Sequence, residues 1–372
     1  MKRIKLLILF ILTFNLLNAQ ESQKDTLVGY LKKHWATPEE YVISKFKDHD
    51  YVFIGEYHRI KQDVDLILNL IPQLYKNGIY NLAIEFGAYQ YQNLVDSLLN
   101  LPYFDRKLAD LIMFKTEPTW GYKEYIDMYK VAWEVNHSPQ AGTRKFRIIN
   151  VGYLYNPCSK EHFGGYDPDV FMANNILKEI VSKKEKALIY SGCHHAFTKY
   201  HQPVYDFKKD TLTSFNTTRM GNVIYDTLKE KTFNIFLHAG WVSNKGFNAP
   251  CVLPVNGVID TVMNYFTNKR VGFDVYNSPF GKLKANDTYY AFGHPDFTLD
   301  KFCDGYIYQN AFKNYQPITM EDGFITKDNI NDLKEYLKCL GVKKVLINTL
   351  TVRNANKRLF EDIRKHFKHL MN

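Results

Sequence analysis

The sequence lacks the short motifs that mark several large enzyme classes. In 372 residues there is no G-x-S-x-G, no H-E-x-x-H, no P-loop and no G-x-G-x-x-G. These absences exclude a serine hydrolase with a nucleophile elbow, a zinc protease with a helical motif, a P-loop nucleotidase and a typical dinucleotide-binding domain. Any chemistry must therefore come from a less familiar arrangement of side chains.

Cysteine is scarce as well. The five cysteines are widely spaced, odd in number and form no C-x-x-C motif. Such spacing is typical neither of a disulfide framework nor of a zinc knuckle. Most of the cysteines are therefore expected to be small buried hydrophobic residues.

Long apolar runs are missing after the first twenty residues. The chain begins with basic residues, continues with an apolar run from Leu6 to Phe14 and reaches small residues at Ala19. This order predicts a signal peptide over residues 1–19, cleaved after Ala19. Since no later run approaches the ~20 apolar residues of a membrane helix, we expect residues 20–372 to be exported, to the periplasm or the medium, with no integral membrane segment.

Charge of one sign is not concentrated anywhere along the chain. Lys and Arg number 48 against 39 Asp and Glu, and the formal net charge is +9. Because these charges are scattered singly, the pattern indicates a solvated basic surface and no nucleic-acid-binding arm.

What the sequence does contain is an alternation of short apolar runs with amphipathic segments, and no internal repeat or linker. The alternation predicts a single α/β domain with long loops, built on a mainly parallel sheet with helices on both faces. Helices are predicted over Lys61–Asn77, Pro168–Lys183 and Asp328–Leu340. The predicted strands are Tyr51–Ile54, Asn81–Phe86, Arg147–Val151, Ala187–Tyr190, Thr232–Leu237 and Lys344–Asn348.

Polar side chains stand at or near the ends of four of these strands. Parallel sheets bind ligands beyond the carboxyl ends of their strands, so these residues are the candidates for chemistry. They are Glu56 and His58 after the first strand, Glu85 in the second, His194 and His195 after the fourth and His238 after the fifth.

Each candidate has a functional and a structural interpretation. Glu56 and His58 suit a general base with its orienting partner, or two metal ligands, but a surface glutamate and a core histidine give the same pattern. Glu85 lies in an apolar strand and needs a cation, a metal or a proton as its partner, which a salt bridge at the sheet edge would also supply.

The histidines are similarly open to two interpretations. In an extended segment only one of His194 and His195 can point inward, and the alternative is one core and one exposed histidine. For His238 a core or supporting role is favoured over direct ligand binding.

The segments Phe53–His58 and Leu82–Phe86, separated by a helix, resemble the opening of the erythromycin esterase-like, ChaN-like and Tiki-like superfamily. Its members typically carry G-E-x-x-H or G-E-x-H after a strand, then a helix, then a strand ending in Glu. Tyr190–Ala196 is similar to the G-x-G-H segment of that superfamily, with His194 where a Gly is usual.

This resemblance implies several activities. Esterase-like members hydrolyse macrolide lactones, Tiki-like members are metal-dependent proteases, and ChaN-like members are associated with haem binding and iron uptake. By resemblance the site consists of Glu56, His58, Glu85 and His195, which as metal ligands would suit zinc or manganese.

Together the residues and the resemblance predict an exported hydrolase that acts on an ester, lactone or amide in a small-molecule or peptide substrate. One histidine, oriented by Glu56 or Glu85, would take a proton from water, or a divalent metal would activate that water. The alternative is a module that holds haem or another ligand, without turnover, through a histidine such as His194 or His238 and aromatic walls. A third interpretation is a fold that has kept the site and lost the activity.

Overall fold

The structure is a computed structural model. It describes residue 21 and residues 23–139, 142–267, 269–358 and 367–371. The predicted signal peptide, residues 1–19, lies outside the described residues. Within the described part of the chain, no helix combines the length and the apolar character that crossing a bilayer requires.

Seven strands form one mainly parallel sheet in the order β3-β2-β4-β1-β7-β9-β8, in which only β8 runs antiparallel to its neighbour. The predicted α/β class is thus confirmed. A separate two-stranded hairpin contains β5 and β6. The strands are β1 (Tyr51–Glu56), β2 (Asn81–Ala88), β3 (Arg147–Gly152), β4 (Ala187–Gly192), β5 (Gln202–Asp206), β6 (Thr211–Asn216), β7 (Thr232–Leu237), β8 (Val271–Asp274) and β9 (Gly305–Tyr308).

Helices surround the sheet. Residues 23–34 are helical at the start of the described chain. The further helices are α1 (Pro38–Lys45), α2 (Lys61–Lys76), α3 (Gln92–Asn100), α4 (Arg106–Thr116), α5 (Lys123–Asn136), α6 (Pro168–Glu179), α7 (Met220–Leu228), α8 (Val258–Tyr265), α9 (Leu299–Phe302), α10 (Ile330–Cys339), α11 (Lys344–Asn348) and α12 (Val352–Arg358).

Both faces of the sheet are buried because consecutive side chains of a strand point to opposite faces. In β1, Val52 and Ile54 pack with apolar residues of α2, α3, α4 and α5. Tyr51 and Phe53 pack on the other face with α6 and α7. This two-sided burial explains why the strands are continuous apolar runs.

The C-terminal strand prediction was wrong. Lys344–Asn348 is a short helix, and all five of its residues are at least partly exposed. Its apolar Val345 and Leu346 are 64% and 46% exposed, so no sheet neighbour covers them. Beyond β7 the sheet is instead continued by β9 and β8, which are only four residues long and gave no clear period in the sequence.

The cysteine prediction also needs correction. Cys158 and Cys339 form a disulfide across 181 residues of sequence, and they join the loop after β3 to the end of α10. Of the other three, Cys303 is buried as expected, whereas Cys193 and Cys251 are partly exposed. A single long-range bridge leaves no local spacing pattern, so sequence arithmetic cannot detect it.

Candidate active site

Glu56 is the last residue of β1, and its carboxylate is completely buried. The hydroxyl of Tyr125 donates to Oε1 at 2.5 Å, and the hydroxyl of Tyr190 donates to Oε2. His58 Nδ1 lies 2.8 Å from Oε1. Burial raises the pKa of Glu56, although the bonds from His58 and Tyr125 act against that rise.

These contacts orient the ring of His58. Because a carboxylate can only accept, Nδ1 carries the hydrogen of this bond and the neutral ring keeps Nε2 as its acceptor. The side chain is 39% exposed, and its ring meets those of Phe86 and Trp120 edge-on at 5.6 and 5.5 Å. Burial lowers the pKa of His58, but the hydrogen bond and the charge of Glu56 outweigh it and raise the pKa overall.

Glu85 and His195 form a second pair. His195 Nε2 lies 3.2 Å from Glu85 Oε1, and His195 Nδ1 lies 2.6 Å from Asp169 Oδ1. Burial lowers the pKa of His195, but the carboxylates of Glu85 and Asp169 outweigh it and raise that pKa to about 10. Burial raises the pKa of Glu85, but the charge of His195 outweighs it and lowers that pKa to about 2. At neutral pH His195 is therefore an imidazolium with both nitrogens occupied.

Asp169 extends this pair into a chain of charges. It lies in the first turn of α6, is nearly buried, and accepts from the backbone amide of Met220 at 2.8 Å. Arg219 Nη1 donates to its other oxygen at 2.9 Å. Burial alone would raise the pKa of Asp169, and the bond from His195 lowers it.

Sequence reasoning missed Asp169, Arg219, Tyr125 and Tyr190. Asp169 stands in a helix start, Asp167-Pro168-Asp169, where an acidic residue is fully explained by the helix terminus. The two tyrosines lie in a helix and in a strand among many other aromatic residues. No local signal separates any of the four from ordinary structural residues.

The two pairs meet over Gly192, the last residue of β4, which is opposite Glu56 in the sheet register. Its backbone amide donates to Glu85 Oε2 at 2.7 Å. A Cβ at Gly192 would lie 2.7 Å from His58 Cε1 and 3.4 Å from Glu85 Oε2. The structure thus brings Glu56, His58, Glu85 and His195 together at one edge of the sheet, as two pairs on either side of Gly192. We call these four residues the acid–base cluster.

His194 and His238 lie outside this cluster. His194 Nε2 is bonded to the hydroxyl of Tyr290 at 2.9 Å, and burial lowers the pKa of His194 to about 3. His238 is completely buried, with Nδ1 at 2.9 Å from the Tyr306 hydroxyl and Nε2 at 3.2 Å from Asp260 Oδ1. His195, and not His194, is the histidine that faces the cluster.

The donor arrangement does not fit the zinc or manganese ion that the sequence resemblance implies. In the described part of the chain, no group of three or more His, Cys, Asp or Glu residues is placed to hold a metal ion. Instead, Glu56 is directed at His58 and two hydroxyls, and Glu85 at His195 and a backbone amide. The carboxylates and imidazoles form hydrogen bonds with one another and do not converge on a common point where a metal ion could bind.

Neither protein-family models nor curated proteins gave a match to the sequence. Solved structures did match. A succinoglycan biosynthesis protein gives a TM-score of 0.51 at 12% identity, covering 75% of this chain and 91% of its own. A protein from Bacillus cereus gives a TM-score of 0.50 at 11% identity, and the match covers 76% of this chain and 96% of the Bacillus protein. An erythromycin esterase, EreC, gives 0.48 at 9% identity, covering 73% and 96%.

The first two similarities show that the chain shares its fold with these structures, and they support the sequence resemblance at the level of the fold alone. At such low identity the shared fold carries no activity or substrate with it.

Proposed function

We propose that the chain is a hydrolase of an ester, lactone or amide in which His58 is the general base and Glu56 its positioning residue. A role in hydrolysis or in ligand binding agrees with the fold. The polar cluster favours hydrolysis, because a buried carboxylate that orients a partly exposed imidazole is the usual arrangement for activating water.

One observation carries the proposal: His58 Nδ1 lies 2.8 Å from the buried Glu56 carboxylate while the side chain is 39% exposed. His195 does not suit the same role, since both of its nitrogens are directed at carboxylates and its pKa is raised to about 10. Glu85 and His195 instead supply a fixed pair of charges beside the base.

The reaction follows from this geometry. His58 Nε2 accepts a proton from water as the water oxygen bonds to the carbonyl carbon, and Glu56 stabilises the resulting imidazolium. The tetrahedral intermediate then collapses, the bond from carbon to the leaving oxygen or nitrogen breaks, and His58 returns its proton to that leaving atom. The products are a carboxylic acid and an alcohol or amine.

Haem binding without turnover is less well supported. His238 has both nitrogens occupied inside the protein, so it cannot ligate iron without breaking those bonds. His194 faces a pocket of only about 140 Å³, whereas sites for drug-sized ligands and cofactors measure ~300–1,000 Å³. Neither histidine therefore fits the role of a haem ligand.

The proposal is tested with His58→Asn against a panel of ester, lactone and amide substrates. Loss of the general base is expected to lower kcat by ~10²-fold or more. His137→Asn, at an exposed histidine directly after α5, is the matched control and keeps full activity. Equal turnover by His58→Asn and the unsubstituted protein would disprove the role of His58.

We also propose that the protein is exported to the periplasm or the medium. The basic and apolar N-terminal segment supports this, and so does the Cys158–Cys339 bridge, because disulfides persist mainly in oxidising compartments. N-terminal sequencing of protein from the producing cell is expected to begin near Gln20. Retention of Met1 in a cytosolic fraction would contradict export.

A further inference from the structure

A small pocket lies beside the acid–base cluster, at the carboxyl ends of β1, β4 and β7. Its volume is about 140 Å³. Aromatic rings and two thiols make up most of its wall, and we call it the aromatic pocket. The residues that define it are Tyr57, Cys193, Phe236, Trp241, Phe247 and Tyr290.

The aromatic pocket and the cluster share a boundary in the chain. Tyr57 stands between Glu56 and His58 in sequence, and Cys193 directly follows Gly192, the residue on which His58 and Glu85 meet. The amide of Cys193 donates to the backbone carbonyl of Glu56 at 2.9 Å. A ligand group in the pocket therefore lies next to the acid–base cluster, with only Tyr57 and Cys193 between them.

The wall of the pocket carries no charge at neutral pH. The described lining residues include no Asp, Glu, Lys or Arg. Its one imidazole, His194, is bonded to the Tyr290 hydroxyl at 2.9 Å, and burial lowers its pKa to about 3. Burial also raises the pKa of the Cys193 thiol to about 12. Charged groups would lose their hydration here without gaining a partner.

The size of the pocket restricts the ligand further. An apolar cavity of ~150 Å³ in a protein core binds benzene, which shows that such a volume holds one six-membered ring. The surrounding aromatic rings favour edge-to-face or offset packing against a ring of that size.

We infer that the aromatic pocket binds a single uncharged aromatic ring of the substrate, attached close to the carbonyl group that is hydrolysed. This inference rests on the proposed function for its link to hydrolysis. The binding of the ring itself does not depend on turnover, and the two can be tested separately.

Binding is measured first, with 4-fluorobenzyl alcohol as the probe and ¹⁹F NMR as the readout. Saturable binding is expected. Cys251→Phe and Val242→Phe, which add bulk to two other lining residues, are expected to weaken it by at least tenfold. Leu111→Phe, at an exposed position on α4, is the matched control and leaves the affinity unchanged.

A second measurement needs no variant. Cys193 and Cys251 both line the pocket and are partly exposed, whereas Cys303 is buried. Because iodoacetamide reacts with the thiolate and the pKa of Cys193 is about 12, Cys251 is the reporter, and saturating probe is expected to slow its alkylation at pH 9 by at least fivefold. Unchanged alkylation together with no saturable NMR signal would overturn the inference, even if the bulky variants fail to fold.

Kinetics then connect the pocket to the reaction. Two esters with the same leaving group are compared, one acetyl and one phenylacetyl. The kcat/KM ratio is expected to favour the phenylacetyl ester by at least tenfold, mainly through KM, and both bulky variants are expected to reduce that ratio about tenfold. Turnover of both esters without this preference would overturn the inference and leave the proposed function standing. Probe binding without turnover of any ester or amide would leave the pocket standing and reject the proposed function.

Discussion

His58 and His195 are the same residue type in neighbouring places, but their carboxylate partners give them different roles. One buried carboxylate contacts His58, and the ring keeps an acceptor nitrogen on its exposed side. Two carboxylates contact His195, and because they raise its pKa to about 10 the ring stays protonated at neutral pH. The number of partners, and not the histidine itself, decides which ring can accept a proton.

The first prediction concerns the pH dependence of activity. The base must be neutral, and its pKa is raised above the ordinary 6.5, so activity should rise with pH through a midpoint above 6.5. Glu56→Gln removes the charge that raises this pKa and leaves the burial that lowers it. We expect the acidic limb of the kcat/KM profile to move to lower pH and the plateau to fall by ~10²-fold or more.

A control distinguishes this positioning role from a purely structural one. Glu134→Gln, at an exposed residue of α5, is expected to leave both the plateau and the midpoint unchanged. If Glu56→Gln lowers the plateau but leaves the midpoint where it was, Glu56 does not tune His58.

The second prediction concerns stability and Glu85→Gln. Asp169 still contacts His195 in this variant, so we expect the free energy of unfolding to fall by roughly 1–3 kcal/mol. This is less than the cost of a completely unpaired buried cation. Because the pKa of Glu85 is lower in the folded protein than its ordinary value of 4.5, its contribution to stability is present above pH 4.5 and is lost as pH falls toward 2. The contribution of His195 is full below 6.5 and is lost as pH rises through 10, because its folded pKa is raised.

The stability difference between Glu85→Gln and the unsubstituted protein should therefore be largest between pH 4.5 and 6.5. Urea unfolding at pH 3, 5.5 and 9.5 measures it. Glu134→Gln, which removes a surface pair with Lys130 at 3.6 Å, serves as the control and should cost little at any pH. A difference that stays constant across the three pH values would argue against the ion pair.

At the scale of elements, the ends of β1, β2 and β4 determine the cluster. The apolar runs of these strands and the parallel sheet were predictable, because two-sided burial leaves continuous apolar runs. With the sheet known, Glu56, His58 and Glu85 could be placed on one rim. The choice between His194 and His195 could not be made, because it depends on a side-chain contact with Asp169 in α6, 26 residues before His195, which forms only in the folded chain.

Gly192 gives the third prediction. In Gly192→Ala the new Cβ would lie 2.7 Å from His58 Cε1, so the ring must move away from its bond with Glu56. We expect activity to fall by roughly 10- to 100-fold, since displacements of about 1 Å have effects of that size. The melting temperature should change little, because a side-chain ring and not backbone gives way.

Gly29→Ala is the matched control. Nothing lies within 4 Å of a Cβ at Gly29, and the residue is in the N-terminal helix of the described chain. Activity of Gly29→Ala should equal that of the unsubstituted protein. Full activity in Gly192→Ala would show that the contact between the two pairs is unimportant.

For the whole molecule, sequence reasoning placed β1, β2, β3, β4 and β7 and the helix α10, but it missed the β5–β6 hairpin and the strands β8 and β9. The predicted strands are long enough to stand out as continuous apolar runs, whereas β8 and β9 have four residues each and depend on tertiary pairing. Helix α11 was mistaken for a strand because five residues cannot distinguish the two periods. The Cys158–Cys339 bridge was missed for a related reason, since its two ends come together only in the folded chain.

The bridge gives the fourth prediction. Closing so long a loop reduces the entropy of the unfolded chain, so reduction with dithiothreitol should lower the free energy of unfolding by about 2–5 kcal/mol. Cys158→Ser combined with Cys339→Ser should show the same loss, and dithiothreitol should then have no further effect. Identical unfolding curves with and without reductant would contradict a stabilising bridge.

The bridge also makes the segment between its two cysteines a covalent ring. That ring contains β4 and β7, which flank β1, together with β9 and β8, whereas β1 and β2 lie outside it. A protease that cuts once in a loop between Cys158 and Cys339 would therefore leave a single covalent molecule, and its two pieces would separate on a gel only after reduction.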